Sequence, residues 1–223
     1  MSQVFDYLQY EIDGWYQTKL KYLHDRNTSI DGMEIGIYCC PNLQHVYLDT
    51  PENKVVSMLL SEVPNLKKLK VSKINCREMN EVMEKYAANA KLKLMTLEIV
   101  SGRDSLDLSV VSKACGNLQK LAIYYSVSVH VSSLHASSQL SFPSLKELII
   151  YSTEIRGNYS IPILKSCPAI EKLNMCGCDD ITDDSFFDIL EYNPMFNLKD
   201  ICLVLAPRLT TRTIWTMVTN LPR

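Results

Sequence analysis

The sequence predicts an α/β solenoid, a row of short parallel strands each returned by a helix, and three observations carry that prediction. A phrase of the form apolar-x-x-apolar-x-apolar recurs seven times, with first positions 23 to 28 residues apart. Between copies the apolar spacing changes from the two-residue period of a strand to the 3.6-residue period of a helix. Five copies are introduced by a proline or glycine two residues upstream, at Pro41, Pro64, Gly116, Pro143 and Pro168.

The strand phrases in order are Leu43/Val46/Leu48, Leu66/Leu69/Val71, Leu94/Leu97/Ile99, Leu118/Leu121/Ile123, Leu145/Leu148/Ile150, Ile170/Leu173/Met175 and Leu198/Ile201/Leu203. The last two apolar residues of each lie two apart, so they point to one face together. Met79, Val82, Met83 and Tyr86 then form a helical stripe after the second strand, opened by Asn75 and Glu78 as a capping box. Thr182 followed by Asp183 and Asp184 predicts another helix start, with Phe186, Phe187, Ile189 and Leu190 as its apolar stripe. Ile214, Val218 and Leu221 have the same spacing and predict a last helix that buries them. No unit buries its apolar face alone, so neighbours must stack.

Residues 1–38 carry Phe5, Leu8, Ile12 and Trp15 at helical spacing, then Leu20 and Leu23. They are read as an N-terminal helical cap or a degenerate first repeat. Residues 39–223 are read as about seven repeats, the last cut short, because Asn220-Leu221-Pro222-Arg223 has the form of a lead-in to a further phrase.

Composition narrows the class. Of 223 residues 47% are hydrophobic and the formal charge is −2, which leaves ample material for a core and no bulk attraction to nucleic acid or membrane. No apolar run approaches a membrane span, and the first residues lack a basic start and apolar stretch. Eight cysteines without disulfide-framework spacing then predict free thiols in a reducing cytoplasmic or nuclear setting.

The stretch Cys167-Pro168-Ala169-Ile170-Glu171-Lys172-Leu173-Asn174-Met175-Cys176-Gly177-Cys178-Asp179-Asp180-Ile181-Thr182-Asp183 resembles the cysteine-containing leucine-rich repeat. That repeat is typical of F-box and leucine-rich-repeat proteins and of antagonist-of-mitotic-exit-like proteins. The resemblance covers roughly residues 30 to 223 and is looser elsewhere, where Thr153, Ser126, Gly102 and Ala206 stand in place of the turn cysteine. It implies a right-handed horseshoe of the ribonuclease-inhibitor type, with a parallel concave sheet and convex helices. It also implies that Cys178 is a buried turn residue, that Ile181-Thr182-Asp183 opens a convex helix, and that another protein binds. Such proteins often act as substrate receptors of Skp–cullin–F-box ubiquitin ligases. A convincing F-box is not evident in residues 1–38, which leaves an eroded F-box, a degenerate repeat or a plain cap open.

Other chemistry is thinly signalled. Cys176 with Cys178 and Cys39 with Cys40 lack zinc-ligand spacing, and Cys40, Cys115 and Cys167 recur at one repeat position, as packing produces. His24, His45, His130 and His135 have no signature that assigns one to a thiol. There is no phosphate-binding glycine loop, and Asp179, Asp180, Asp183 and Asp184 lack calcium-loop spacing. No enzymatic activity, cofactor or metal is therefore expected. A Cys/His enzyme and an F-box-less scaffold or inhibitor unrelated to ubiquitin stand as alternatives.

The expected site is the concave face, formed by residues alternating with the inward leucines. Tyr47, Lys68, Lys70, Tyr124, Glu147, Ile149, Tyr151, Lys172 and Asn174 are its candidate partner-binding residues. The face is expected to begin basic and become apolar and aromatic, with Tyr124, Ile149 and Tyr151 contiguous. Lys67, Lys68, Lys70 and Lys73 form the dense basic run, without aromatic interleaving along the chain. The partner is expected to be another protein, with a Skp–cullin complex engaged indirectly. Nucleic acid and membrane are not expected, and the chain is expected to be a monomer.

Overall fold

A short turn repeated before six strands sets the architecture. The amide of the first phrase residue donates to the carbonyl three residues earlier: Leu43 to Cys40, Leu66 to Val63, Leu118 to Cys115, Leu145 to Phe142, Ile170 to Cys167 and Leu198 to Met195. Proline at the second turn position presets φ, which is why Pro41, Pro64, Pro143 and Pro168 recur there. The turn opens on a buried side chain, cysteine in three units and valine, phenylalanine or methionine in the others. Size and apolarity are thus what the position requires.

The computed structural model describes residues 19–26, 29–87, 92–125, 128–132, 140–151 and 159–220. The sequence readings at Phe5, Leu8, Ile12, Trp15, Ser126, His135, Thr153 and Leu221 lie outside these residues. Strands β1 (Tyr22–Arg26), β2 (His45–Asp49), β3 (Lys68–Ser72), β5 (Thr96–Ile99), β8 (Lys120–Tyr124), β10 (Glu147–Tyr151), β11 (Lys172–Cys176) and β12 (Asp200–Val204) form one parallel sheet in that order. Two small parallel pairs lie beyond the strand ends, β4 (Ile74–Asn75) with β6 (Gly102–Arg103) and β7 (Ser105–Asp107) with β9 (Ser128–His130).

The described helices are α1 (Ile30–Cys39), α2 (Asn53–Glu62), α3 (Cys76–Ala87), α4 (Leu108–Ala114), α5 (Ser160–Lys165), α6 (Asp183–Tyr192) and α7 (Thr211–Asn220). Helices α1 to α4 pack as one row and α5 to α7 as another. Between them the unit of β8 contains β9 and, among the described residues, no helix. Residues 133–139 of that unit, where the expected helix would fall, lie outside the described residues. At the start of the chain, Leu23 belongs to β1, which pairs in register with β2, rather than to a helix.

The second and third phrase residues behave as read: Leu69, Val71, Leu97, Ile99, Leu121, Ile123, Ile150 and Met175 are all fully buried beneath the sheet. Register is held by paired amides at each strand entry. Gln119 and Lys120 donate to Met95 O, Lys146 and Glu147 to Gln119 O, and Glu171 and Lys172 to Lys146 O. The chain leaves several strands through a left-handed residue, Thr50, Lys73, Tyr125, Gly177 and Leu205. Only one of the five is glycine, so the turn holds four L side chains in a region they populate rarely.

Helix starts also match. The Asn75 side chain accepts from the Arg77 amide at 3.0 Å, while Glu78 takes the Asn75 side-chain amide at 3.1 Å. Thr182 and Ser185 form a reciprocal capping box. Helix α3 buries Met79, Val82 and Met83, and α6 buries Phe186 and Ile189, as the stripes predicted.

Helix α7 is the exception. Ile214 and Val218 are 60% and 65% exposed, and the helix instead buries Thr213 and Thr216. The reason lies one unit back. Asp183, at the start of α6, accepts from the Thr210 amide, the Thr210 hydroxyl and the Thr213 hydroxyl, and these bonds hold its carboxyl down at about 2. The polar face of α7 is therefore drawn inward. The apolar stripe faces solvent, and Ile201 and Leu203 of β12 are only half-buried.

All eight cysteines are free thiols, five of them buried. Burial pushes Cys76, Cys115, Cys167 and Cys178 up to about 12. With a thiol reagent at neutral pH, exposed Cys202 should react first and the half-buried Cys39 and Cys176 next. The five buried thiols should respond only on unfolding. Rapid native reaction of Cys167 would contradict this packing.

Candidate partner-binding surface

The parallel register turns the strand alternation into three rows crossing the concave face. The first runs Tyr22, His45, Lys68, Thr96, Lys120, Glu147, Lys172 and Asp200. The second runs His24, Tyr47, Lys70, Glu98, Ala122, Ile149, Asn174 and Cys202. The third ends in Tyr124, Tyr151 in the next strand, and then Cys176 beside Val204. All nine candidate residues are on this face, in the order the alternation predicted.

The aromatic patch is present. The Tyr124 and Tyr151 rings stack with centroids 6.1 Å apart, and Tyr151 Oη accepts a 2.6 Å hydrogen bond from Asn174 Nδ2. Asn174 Oδ1 is buried with no hydrogen-bond partner. Ile149 lies beside them in the second row, half-buried.

The lysines are not a free basic run. Glu98, nearly buried on the floor of the face, receives Lys68 at 3.1 Å and Lys70 and Lys120 each at 3.7 Å. Burial works to raise the Glu98 carboxyl. The Lys68 hydrogen bond and the charges of Lys68, Lys120 and Lys70 outweigh it and hold the group below the ordinary carboxylate range. Lys120 also reaches Glu147 at 3.3 Å. Lys73 leaves the face and pairs with Asp49 at 3.7 Å.

One part of the face was missed in the sequence, because β1 was not recognised as a strand. Its outward residues extend the surface with aromatic groups. Tyr22 lies against His45 at 4.5 Å, and His24 stacks on Tyr47 at 4.3 Å. The Lys70 ammonium sits 4.9 Å above the Tyr47 ring, a cation–π contact. Aromatic and basic groups are therefore interleaved across strands although not along the chain. Burial, then Lys68 and Lys67, push the His45 imidazole down.

A second cluster lies off the face, on β7 and β9. Ser105 Oγ is 2.7 Å from His130 Nδ1, and His130 Nε2 is 3.8 Å from Asp107 Oδ2. The residue types match a nucleophile, base and orienting acid. However, 3.8 Å is too long for a hydrogen bond, and Asp107 Oδ1 already accepts the Ser109 and Ser132 amides. Asn80 bonds to both neighbours, Ser105 O and Asp107 N. These contacts cap α4 and tie adjacent units together. Among the described residues no three His, Cys, Asp or Glu side chains are grouped as a metal site, and no helix is long and apolar enough to cross a membrane.

No family model matches the chain, and no curated protein matches it. Solved structures do. A chain in the crystal structure of the yeast Rad7–Elc1 complex aligns with a TM-score of 0.55 and 17% identity, covering 100% of this protein and 61% of that chain. This protein thus spans less than two thirds of that neighbour. A chain in the TLR13–ssRNA13 complex aligns with a TM-score of 0.47 and 16% identity over 91% of this protein and 35% of that chain. Together with the parallel sheet, the repeated turn and the alternating core, the first of these likenesses bears out the fold: the chain is a leucine-rich-repeat solenoid.

Proposed function

We propose that the protein is a non-catalytic interaction module that holds another protein on its concave face. The observation that carries this reading is the patch of Tyr124, Ile149, Tyr151 and Asn174, solvent-reachable on strands β8, β10 and β11, whose opposite face is buried. Large amphipathic side chains held by packing and hydrogen bonds lose little entropy on binding, which suits them as anchors. Within this reading, the resemblance at Cys167–Asp183 favours substrate recognition or regulation in a Skp–cullin–F-box ubiquitin-ligase pathway. The yeast neighbour of the same fold is itself part of a two-protein complex.

The test is partner capture from cells, comparing wild type with Tyr124→Ala/Tyr151→Ala and with a convex control, Lys113→Ala. The tyrosine pair is expected to weaken the principal partner by more than about 1 kcal/mol, roughly fivefold or more, with thermal stability little changed. Normal capture by the tyrosine variant, with loss in the convex one, would move the site off the concave face. A purified Skp adaptor should bind this chain weakly or not at all. Stoichiometric co-elution of the two would make the N-terminal segment an adaptor site.

A further inference from the structure

The concave face joins two chemistries at a fixed separation. At β3 the ammonium groups of Lys68 and Lys70, with Lys120 of β8, converge over one carboxylate, Glu98. Each ammonium has three donors, and the lysine side chains are 27% to 39% exposed while Glu98 is 9% exposed. Glu98 therefore gathers the three cations from below and leaves donors turned to solvent. The three ammonium groups meet two carboxylates, Glu98 and Glu147, so the cluster keeps positive charge. Lys70 is further held over the Tyr47 ring. Cations fixed in this way lose little freedom on binding an anion.

Ile149 and Tyr151 of β10 stand two strands from Glu98 of β5, over which the ammonium groups converge. At ~4.8 Å per strand this is about 10 Å, the span of about three extended residues.

Resting on the interaction reading above, we propose that this face binds an extended acidic peptide segment of another protein. A carboxylate of that segment meets Lys68, Lys70 and Lys120, and an apolar or aromatic residue about three positions away meets Tyr124, Ile149 and Tyr151. Charge complementarity selects the acidic group, and the tyrosine patch selects the apolar one. A polyphosphate chain fits less well. Asp49, Glu98, Glu147 and Asp200 punctuate the face with negative charge along any path across the strands. The ring of Tyr22 is also already in contact with His45, and that of His24 with Tyr47.

The experiment is a peptide array probed with the purified 223-residue chain. It carries twelve-residue peptides in which a Glu-Glu pair and a Phe are separated by one to seven Ser/Gly residues. Matched peptides with Gln-Gln or Ala are included, and a twelve-nucleotide oligouridylate is spotted beside them. Binding is expected to peak at one to three intervening residues and to fall about tenfold in the Gln-Gln series or with Lys68→Ala/Lys70→Ala protein. Glu98→Gln, which frees the cations, is expected to strengthen binding two- to fivefold, about 0.4–1 kcal/mol. Thermal melts of both variants separate loss of binding from loss of folding. Equal retention of Gln-Gln peptides, no dependence on spacing, no retention of any peptide, or stronger retention of the oligouridylate would each overturn the proposal. If Tyr124→Ala/Tyr151→Ala still abolished partner capture in any of these cases, the concave interaction reading would stand without the acidic partner.

Discussion

Replacing Leu121 by alanine is expected to lower unfolding free energy by about 3–5 kcal/mol, while Leu203→Ala should cost about 1 kcal/mol or less. Leu121 is fully buried, with Leu97 and Leu148 as its register partners on either side. Truncation there leaves a void that two rigid neighbours close only partly. Leu203 points to the same side of the sheet in β12, at the register position of Ile123, yet is half-buried, because no described strand lies beyond it. The site is already partly wet, so the methyl groups lost had less transfer energy to give. A solenoid is stabilised by nearest-neighbour interfaces, so a central defect weakens both halves and a terminal one weakens a single junction. Urea unfolding followed by far-UV circular dichroism measures both variants. Equal costs at the two positions would contradict a continuous core with an open end.

The same pair shows what the sequence made legible. Alternation within each phrase placed Leu121 and Tyr124 on opposite faces correctly, because strand geometry leaves no other choice once one residue is buried. Register followed from the constant distance between the turn and the phrase, so the nine concave residues could be named in order. Three features were hidden for physical reasons. Strand β1 carries Asp25 where every other unit has an apolar residue, and that one substitution broke the pattern that would have revealed Tyr22 and His24. The left-handed turn positions are filled by Thr50, Lys73, Tyr125 and Leu205, so the glycine signal for positive φ is present only at Gly177. The stripe of α7 was a true stripe misassigned to the core. Periodicity locates an apolar face but not the direction in which it turns, and the Asp183 bonds to Thr210 and Thr213 decided that. The ion cluster was illegible because Glu98 lies 22 to 30 residues from Lys68, Lys70 and Lys120, a proximity created only by stacking units.

Asn193 shows how such stacking is enforced, and its replacement should be the second severe change. It closes α6, is 4% exposed, and its Nδ2 donates to Leu164 O at 2.8 Å and Cys167 O at 3.1 Å, both in the preceding unit. Its Oδ1 accepts from the Met195 amide at 3.3 Å, shaping the turn into β12. One side chain thus ties two consecutive units and the entry to the next strand. Asn193→Ala removes three bonds and leaves buried backbone groups unpaired, an expected cost of about 2–4 kcal/mol. Asn193→Asp keeps the shape but sets a carboxylate against two carbonyl oxygens. At neutral pH it should cost more, about 3–5 kcal/mol, as for a buried charge without its partner. The two variants are separated by pH. The new carboxyl would titrate above its unfolded value of about 3.9, so the folded state binds the extra proton between the two values. Stability of the aspartate variant should therefore rise as pH falls through the folded value and level off below the unfolded one, where a neutral carboxyl can again donate. The alanine variant should show no such gain. Parallel pH profiles for the two, taken from urea midpoints, would mean that the bonds to Leu164 and Cys167 do not hold the units together.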